Sequence, residues 1–204
     1  KTDSKIYKIN EINFFNKDKK TAIKSDLKKI VSGRKSISSL RFDKPQIMGV
    51  LNITPDSFSD GGLFFDKTKA YNQANQMVND GAKIIDVGGE STRPGSETID
   101  QEEEWKRVAD TIFKIKQNFP KTIISLDTRK SYVMKKGVEY GVNIINDVSG
   151  LNFDKKSFDI ISSKKIPFVL HHMQGTPNTM QKNPKYDDVL LDIYDFFEEK
   201  INFC

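Results

Sequence analysis

The sequence predicts an α/β fold in which βα units repeat along a parallel sheet. Three observations carry that prediction. Short Ile- and Val-rich runs alternate with longer segments of helical period from Gln46 onward. The runs start about 30 residues apart, the length of one βα unit. Each run ends in polar residues, as strands do when their carboxyl ends face a ligand.

The elements follow in order. Strands are expected at 46–53, 83–88, 122–127, 143–148 and 167–172. Between them, Ala70, Ala74, Met77 and Val78 form one apolar stripe at helix spacing, and Trp105, Val108, Ile112, Ile115 and Phe119 form another. Both stripes should pack on the sheet. Asn79-Asp80-Gly81 and Tyr140-Gly141 read as helix stops at which glycine takes up the left-handed conformation. A last helical stripe, Leu190, Tyr194, Phe197 and Ile201, runs to the end of the sequence. A closed eight-unit barrel takes about 250 residues, so five units are expected to be part of a (β/α)8 barrel; a complete five-stranded open sheet is the alternative.

Residues 1–44 do not follow the repeat and are expected to form a basic N-terminal extension to a partial barrel over 45–204. Within the extension, Ile23, Leu27, Ile30 and Val31 indicate one short helix stopped at Ser32-Gly33, and Ile6 to Phe15 a strand or hairpin arm. The extension holds 13 Lys/Arg against 5 Asp/Glu, and the rest of the chain 20 against 23. Its lysines alternate with Asn, Ser and Asp and have no aromatic stacking platform, which reads as a solvated surface rather than a nucleic-acid contact.

Composition removes other classes. With 30% charged residues and no run near the roughly 18 apolar residues of a membrane span, a cytoplasmic protein is expected. A single cysteine, Cys204, excludes an internal disulfide or a thiolate metal cage. No Gly-x-Gly-x-x-Gly or Walker-type loop follows any strand, which disfavours those nucleotide-binding folds.

The expected strand ends collect chemistry on one rim: Asn52, Thr54, Asp56 and Ser57; Asp86, Glu90, Thr92 and Arg93; Asp127 and Arg129; Asn146 and Asp147; His171, His172 and Gln174. Asp86, Asp127 and Asn146 close otherwise apolar strands, where an inward carboxylate or amide needs a hydrogen-bonding partner. That partner is either the protein itself or a flat heterocycle with ring donors and acceptors. The Arg93-Pro94-Gly95 loop offers a guanidinium whose fork matches an anion, and Asn52 a hard oxygen of the kind Mg²⁺ accepts. His171 and His172, adjacent on a strand, point to opposite faces and cannot share one ion; a structural or substrate-packing role is expected.

Two segments, Met48-Gly-Val-Leu-Asn-Ile-Thr-Pro-Asp-Ser-Phe-Ser-Asp-Gly-Gly62 and Asp86-Val-Gly-Gly-Glu-Ser-Thr-Arg-Pro-Gly95, resemble the signature loops of the dihydropteroate synthase family. Ser125-Leu-Asp-Thr128, Asn146-Asp-Val-Ser-Gly150 and His172-Met-Gln-Gly175 are similar to its next three strand ends, so the resemblance spans about 45–190. It implies a (β/α)8 barrel that condenses 6-hydroxymethyl-7,8-dihydropterin diphosphate with 4-aminobenzoate, assisted by Mg²⁺ and inhibited by sulfonamides. It further implies that Asn52 holds the metal and that Thr92 and Arg93 hold the diphosphate. Asp127 and Asn146 would grip the pterin edge, and Val148 and Met173 would pack on its ring. Ser57, Phe58 and Pro94 would lie on loops that close over the aminobenzoate. Arg93, Asp127 and Asn146 are thereby the expected catalytic set.

The family's remaining pterin-binding Asp, its Lys loop and its Arg-x-His motif belong to later strands, and nothing in 188–204 matches them. The isolated 204-residue polypeptide is therefore expected to be inactive, and either misfolded or completed by another chain. A homodimer is expected from the family. The rivals are a methyltetrahydrofolate-dependent methyltransferase barrel and a noncatalytic pterin-binding fragment or interaction module.

Overall fold

The computed structural model describes residues 7–37, 39–54, 67–91, 96–176, 179–181 and 183–204. These fall into two compact units, one running to Ser36 and including Arg41–Lys44, the other comprising Ile37–Leu40 and Pro45–Cys204.

In the first unit, the segment expected as a strand or hairpin arm is a 3₁₀ helix, Ile9–Phe14. The cause is local. Glu11 N–H donates to the Lys8 carbonyl at 2.9 Å, and the Glu11 carboxylate reaches back to accept from Lys8 N–H at 2.7 Å, so both bonds close a tight turn that extended backbone would leave open. The helix α1, Lys17–Val31, begins where Asn16 accepts from Lys19 N–H and ends at Ser32, the stop read from the sequence. None of its residues is buried.

The second unit is built on five parallel strands in the order β1 (Met48–Asn52), β2 (Ile84–Gly88), β3 (Ile123–Asp127), β4 (Ile144–Asp147) and β5 (Phe168–Leu170). Each strand pairs with its sequence neighbours through a helical connection, which is the βα repeat expected, and β1 and β5 are the margins of the described sheet. The interior strand β2 is buried along its whole length, which explains its nearly continuous apolar run.

The helices α2 (Lys67–Asn79), α3 (Gln101–Asn118), α4 (Ser131–Glu139) and α5 (Ser157–Lys164) alternate with the strands. The two predicted stripes are buried against one face of the sheet: Ala70 and Ala74 from α2, and Val108, Ile112 and Ile115 from α3, meet Leu51, Ile85, Val87, Ile124, Leu126 and Ile145. Gly81 at φ 107° and Gly141 at φ 89° end α2 and α4 in the positive-φ region that a side chain resists. Asp100 caps α3 by accepting from Glu102 N–H, with three glutamates in the first turn where the helix dipole favours them.

The last helix, α6 (Val189–Phe203), is capped by Asp188, which accepts from Leu190 and Leu191 N–H. Its predicted stripe faces outward, with Leu190 75% and Ile201 65% exposed. The helix is attached instead by Phe196 against His172, with ring centroids 4.8 Å apart, and by Phe203 against Phe158 at the same separation.

Candidate active site

Strand alternation sorts the sheet residues onto two faces. Opposite the helices, the register stacks three layers. At the amino ends Ile84, Ile123 and Ile144 pack with Leu40 as an apolar plug. Above them Asp86 pairs in register with Ser125. At the carboxyl ends Asn52, Gly88, Asp127 and Asn146 form one row across four strands.

The structure therefore brings Asp86, Asp127 and Asn146 onto one face, as their positions at the ends of apolar strands led us to expect. Asn146 Nδ2 donates to Asp86 Oδ2 at 3.0 Å, and Asn146 Oδ1 lies 2.7 Å from His171 Nε2. Asp86 Oδ1 and Ser125 Oγ are buried with no hydrogen-bond partner among the described residues, so this layer retains unused polar capacity. Gly88 keeps the row open. A Cβ there would stand 3.3 Å from Asn52 Oδ1 and 3.4 Å from Asp127 Oδ2, filling the notch between them.

Electrostatics single out Asp127. Burial, followed by repulsion from Asp86, Glu104, Asp147 and Glu90, pushes its carboxyl up to about 8. At neutral pH it carries a proton and can donate as well as accept. Asp147, next to Asn146 in the sequence, has a different task. Burial raises its carboxyl, and it accepts from Ser149 N–H and Oγ at 2.8 and 2.7 Å and from Leu151 N–H at 3.0 Å. Alternation turns it away from the row, and it braces the loop after β4 instead of joining the rim where the sequence had set it.

Glu90 and Arg129 also leave the rim. Arg129 Nε donates to Glu90 Oε2 at 2.8 Å and its second terminal nitrogen to Thr98 Oγ1 at 2.9 Å, while Lys130 Nζ donates to Glu90 Oε1 at 2.8 Å and to Glu104 Oε2. The four charged side chains are between 1% and 10% exposed. Burial raises the Glu90 carboxyl, but Arg129 and Lys130 outweigh it and hold the group below its usual value. For Glu104 burial prevails over Lys130, and the carboxyl is raised. This quartet ties the segment after β2 to that after β3 and to α3. The sequence reading singled out neither Lys130 nor Glu104.

The adjacent histidines separate as alternation requires. His171 joins the Asn146 chain, and His172 stacks among Tyr186, Phe196 and Phe197. Val148 and Met173 are half-buried in the segments that follow β4 and β5. Ser57, Phe58, Thr92, Arg93 and Pro94 lie outside the described residues.

Asn52 Oδ1 borders the Gly88 notch; a side-chain amide oxygen is a hard donor of the kind that Mg²⁺ accepts alongside water and phosphate. No described helix is long and apolar enough to cross a membrane.

A parallel βα sheet with a polar strand-end row above an apolar plug defines the class: an α/β barrel-type fold with its candidate site at the carboxyl ends of the strands. Residues 48–204 match the family model described as pterin binding enzyme, and the chain belongs to that family. It is 45% identical over 167 residues to the dihydropteroate synthase of Escherichia coli K12, covering 82% of this chain and 58% of that one. Among solved structures it resembles the Yersinia pestis dihydropteroate synthase bound to a sulfonamide drug, with TM-score 0.75 and 39% identity over 83% of this chain and 62% of that one. A third relative is the Xanthomonas albilineans enzyme with 7,8-dihydropteroate, with TM-score 0.65 and 33% identity over 78% and 54%; the same enzyme has been solved with 4-aminobenzoic acid. The chain thus spans about 58% of the length of the curated relative, and its five βα units correspond to part of those barrels.

Proposed function

We propose that the protein is a dihydropteroate synthase. It joins 6-hydroxymethyl-7,8-dihydropterin diphosphate to 4-aminobenzoate to give 7,8-dihydropteroate and diphosphate, a step of folate biosynthesis that sulfonamides block. The observation that carries the reading is the Asp127–Asn146 pair at the strand ends, with Asn146 bonded to Asp86 in the layer beneath, where Asp86 Oδ1 and Ser125 Oγ are buried without a hydrogen-bond partner among the described residues. The Yersinia and Xanthomonas relatives, bound to a sulfonamide, 4-aminobenzoic acid and 7,8-dihydropteroate, support it.

Asp127 and Asn146 hold the pterin edge. Asn146 supplies a donor and an acceptor, and Asp127, protonated near neutral pH, adjusts to the ring it meets. Val148 and Met173 pack on the ring face, Met173 as an adaptable apolar wall. The bond from the pterin methylene carbon to the diphosphate oxygen breaks, the amine nitrogen bonds to that carbon, and the nitrogen gives up one proton. Thr92 and Arg93 bind the departing diphosphate, where a guanidinium fork fits two oxygens. Asn52 would hold Mg²⁺, which when bound would supply charge stabilisation to the leaving diphosphate. Ser57, Phe58 and Pro94 shield the centre so that the amine, not water, reacts.

The test is to give both substrates to the full natural polypeptide and separate the products by chromatography. Dihydropteroate should form one-for-one with diphosphate, and Asp127→Ala should lower kcat/KM by about a hundredfold or more. Formation of a methylated product, or no dihydropteroate from folded protein, overturns the reading.

A further inference from the structure

The hydrogen-bond chain through Asn146 fixes the identity of every atom in it. A carboxylate accepts only, so the group facing Asp86 Oδ2 at 3.0 Å is the amide nitrogen of Asn146. The amide oxygen then faces His171 Nε2 at 2.7 Å, and because a carbonyl oxygen only accepts, that ring nitrogen carries a hydrogen. The proposed pterin-binding amide is held from both sides, by a buried acid below and an imidazole beside it. Without the imidazole, the Asp86 bond alone holds the amide by its nitrogen, and the amide plane can rock about that one contact, so the donor and acceptor it shows a ligand are less tightly placed.

We propose that His171 is a positioning residue for recognition of the heterocycle. Its Nε2–H clamps the Asn146 oxygen, so that one amide N–H and one carbonyl lone pair are presented in a fixed order, and the order selects rings with the complementary acceptor and donor. His171 touches Asn146 and acts through it. His172 has no part in this, being engaged by the aromatic side chains of Tyr186, Phe196 and Phe197. The proposal deepens the dihydropteroate synthase reading and rests on it for the ligand, but the state of the imidazole does not depend on that reading.

Two measurements on the full natural polypeptide test it. Imidazole nitrogen–proton NMR of the free wild-type protein should show His171 with a hydrogen on Nε2, and substitution of Asn146 by Ala should shift that resonance. A His171 ring bare at Nε2 overturns the proposal whatever the protein catalyses. In turnover, His171→Ala should raise KM for the pterin diphosphate about tenfold, equivalent to ~1.4 kcal/mol, with kcat within about twofold. His171→Gln, whose terminal amide nitrogen reaches the same place, should restore KM to within about threefold of wild type. Equal KM in wild type and His171→Ala, or no rescue by Gln, overturns it. Absence of turnover by wild type, with the Nε2–H signal present, would count against the assigned reaction and leave the clamp standing.

Discussion

Replacing Lys130 by methionine keeps the length of the side chain and removes the one ammonium shared by Glu90 and Glu104. Lys130 Nζ bonds Glu90 at 2.8 Å and is hydrogen-bonded to Glu104 as well, from a side chain only 8% exposed. Glu90 keeps Arg129, but Glu104, 1% exposed, loses the charged donor that holds Oε2. Removing one partner of a buried ion pair costs about 3–5 kcal/mol. At about 2–4 °C per kcal/mol for a domain of this size, Tm should fall by about 6–20 °C. The loss should depend on pH with a definite sign. Glu104, its carboxyl raised by burial, favours folding when protonated and opposes it as pH rises through its folded-state value. Glu90, held low by its two cations, stabilises the fold above its ordinary value, and that contribution shrinks when Lys130 goes. Both effects make the variant's deficit larger at pH 8 than at pH 5. Circular dichroism melts of the full natural polypeptide at the two pH values measure it, and Lys130→Met with Glu104→Leu should recover more than half the loss. A Tm change under about 2 °C, a deficit equal at both pH values, or a double variant no better than the single would refute the pairing.

Asp127→Asn should stabilise the unliganded protein increasingly between about pH 4 and pH 8. Wild type folds with a protonated Asp127 and must ionise it against burial as pH rises through about 8; urea unfolding at pH 5 and pH 8.5 should show a gain at the higher pH of a few kcal/mol. No pH dependence of the gain would contradict the raised carboxyl. Gly88→Ala should leave Tm within about 3 °C while weakening pterin binding at least tenfold, because its methyl would occupy the notch beside Asn52 Oδ1 and Asp127 Oδ2; a fluorescence titration with 7,8-dihydropteroate reads it. Undiminished affinity would mean that the ligand does not use the notch.

The strand-end row was legible because it combines two short-range signals, an apolar run and a single polar residue where the run ends. Asp127 closes its run, Asp86 and Asn146 stand near the ends of theirs, and period-2 alternation then puts the three on one face. What the sequence hid were pairings between distant positions. Glu90 and Arg129 looked like rim residues because nothing local marks two charges 39 residues apart as partners. Lys130 and Glu104 were not singled out, because nothing local marks a lysine before a helix or a glutamate in a first turn as buried. The expected arm before Phe15 became a 3₁₀ helix through the Glu11 carboxylate, a side-chain bond that periodicity does not register. The strand at 167–172 was shortened to Phe168–Leu170 because His171 and His172 are held by Asn146 and the aromatic cluster.

The central claim is that the carboxyl-end row reads the pterin ring. A crystal structure of the full natural polypeptide soaked with 7,8-dihydropteroate tests it most directly. The pterin should lie over the Gly88 notch with its polar edge within about 3.2 Å of Asp127 and Asn146 carboxyl and amide atoms. A pterin bound away from that row, or lying there with neither side chain in hydrogen-bond reach, would contradict it.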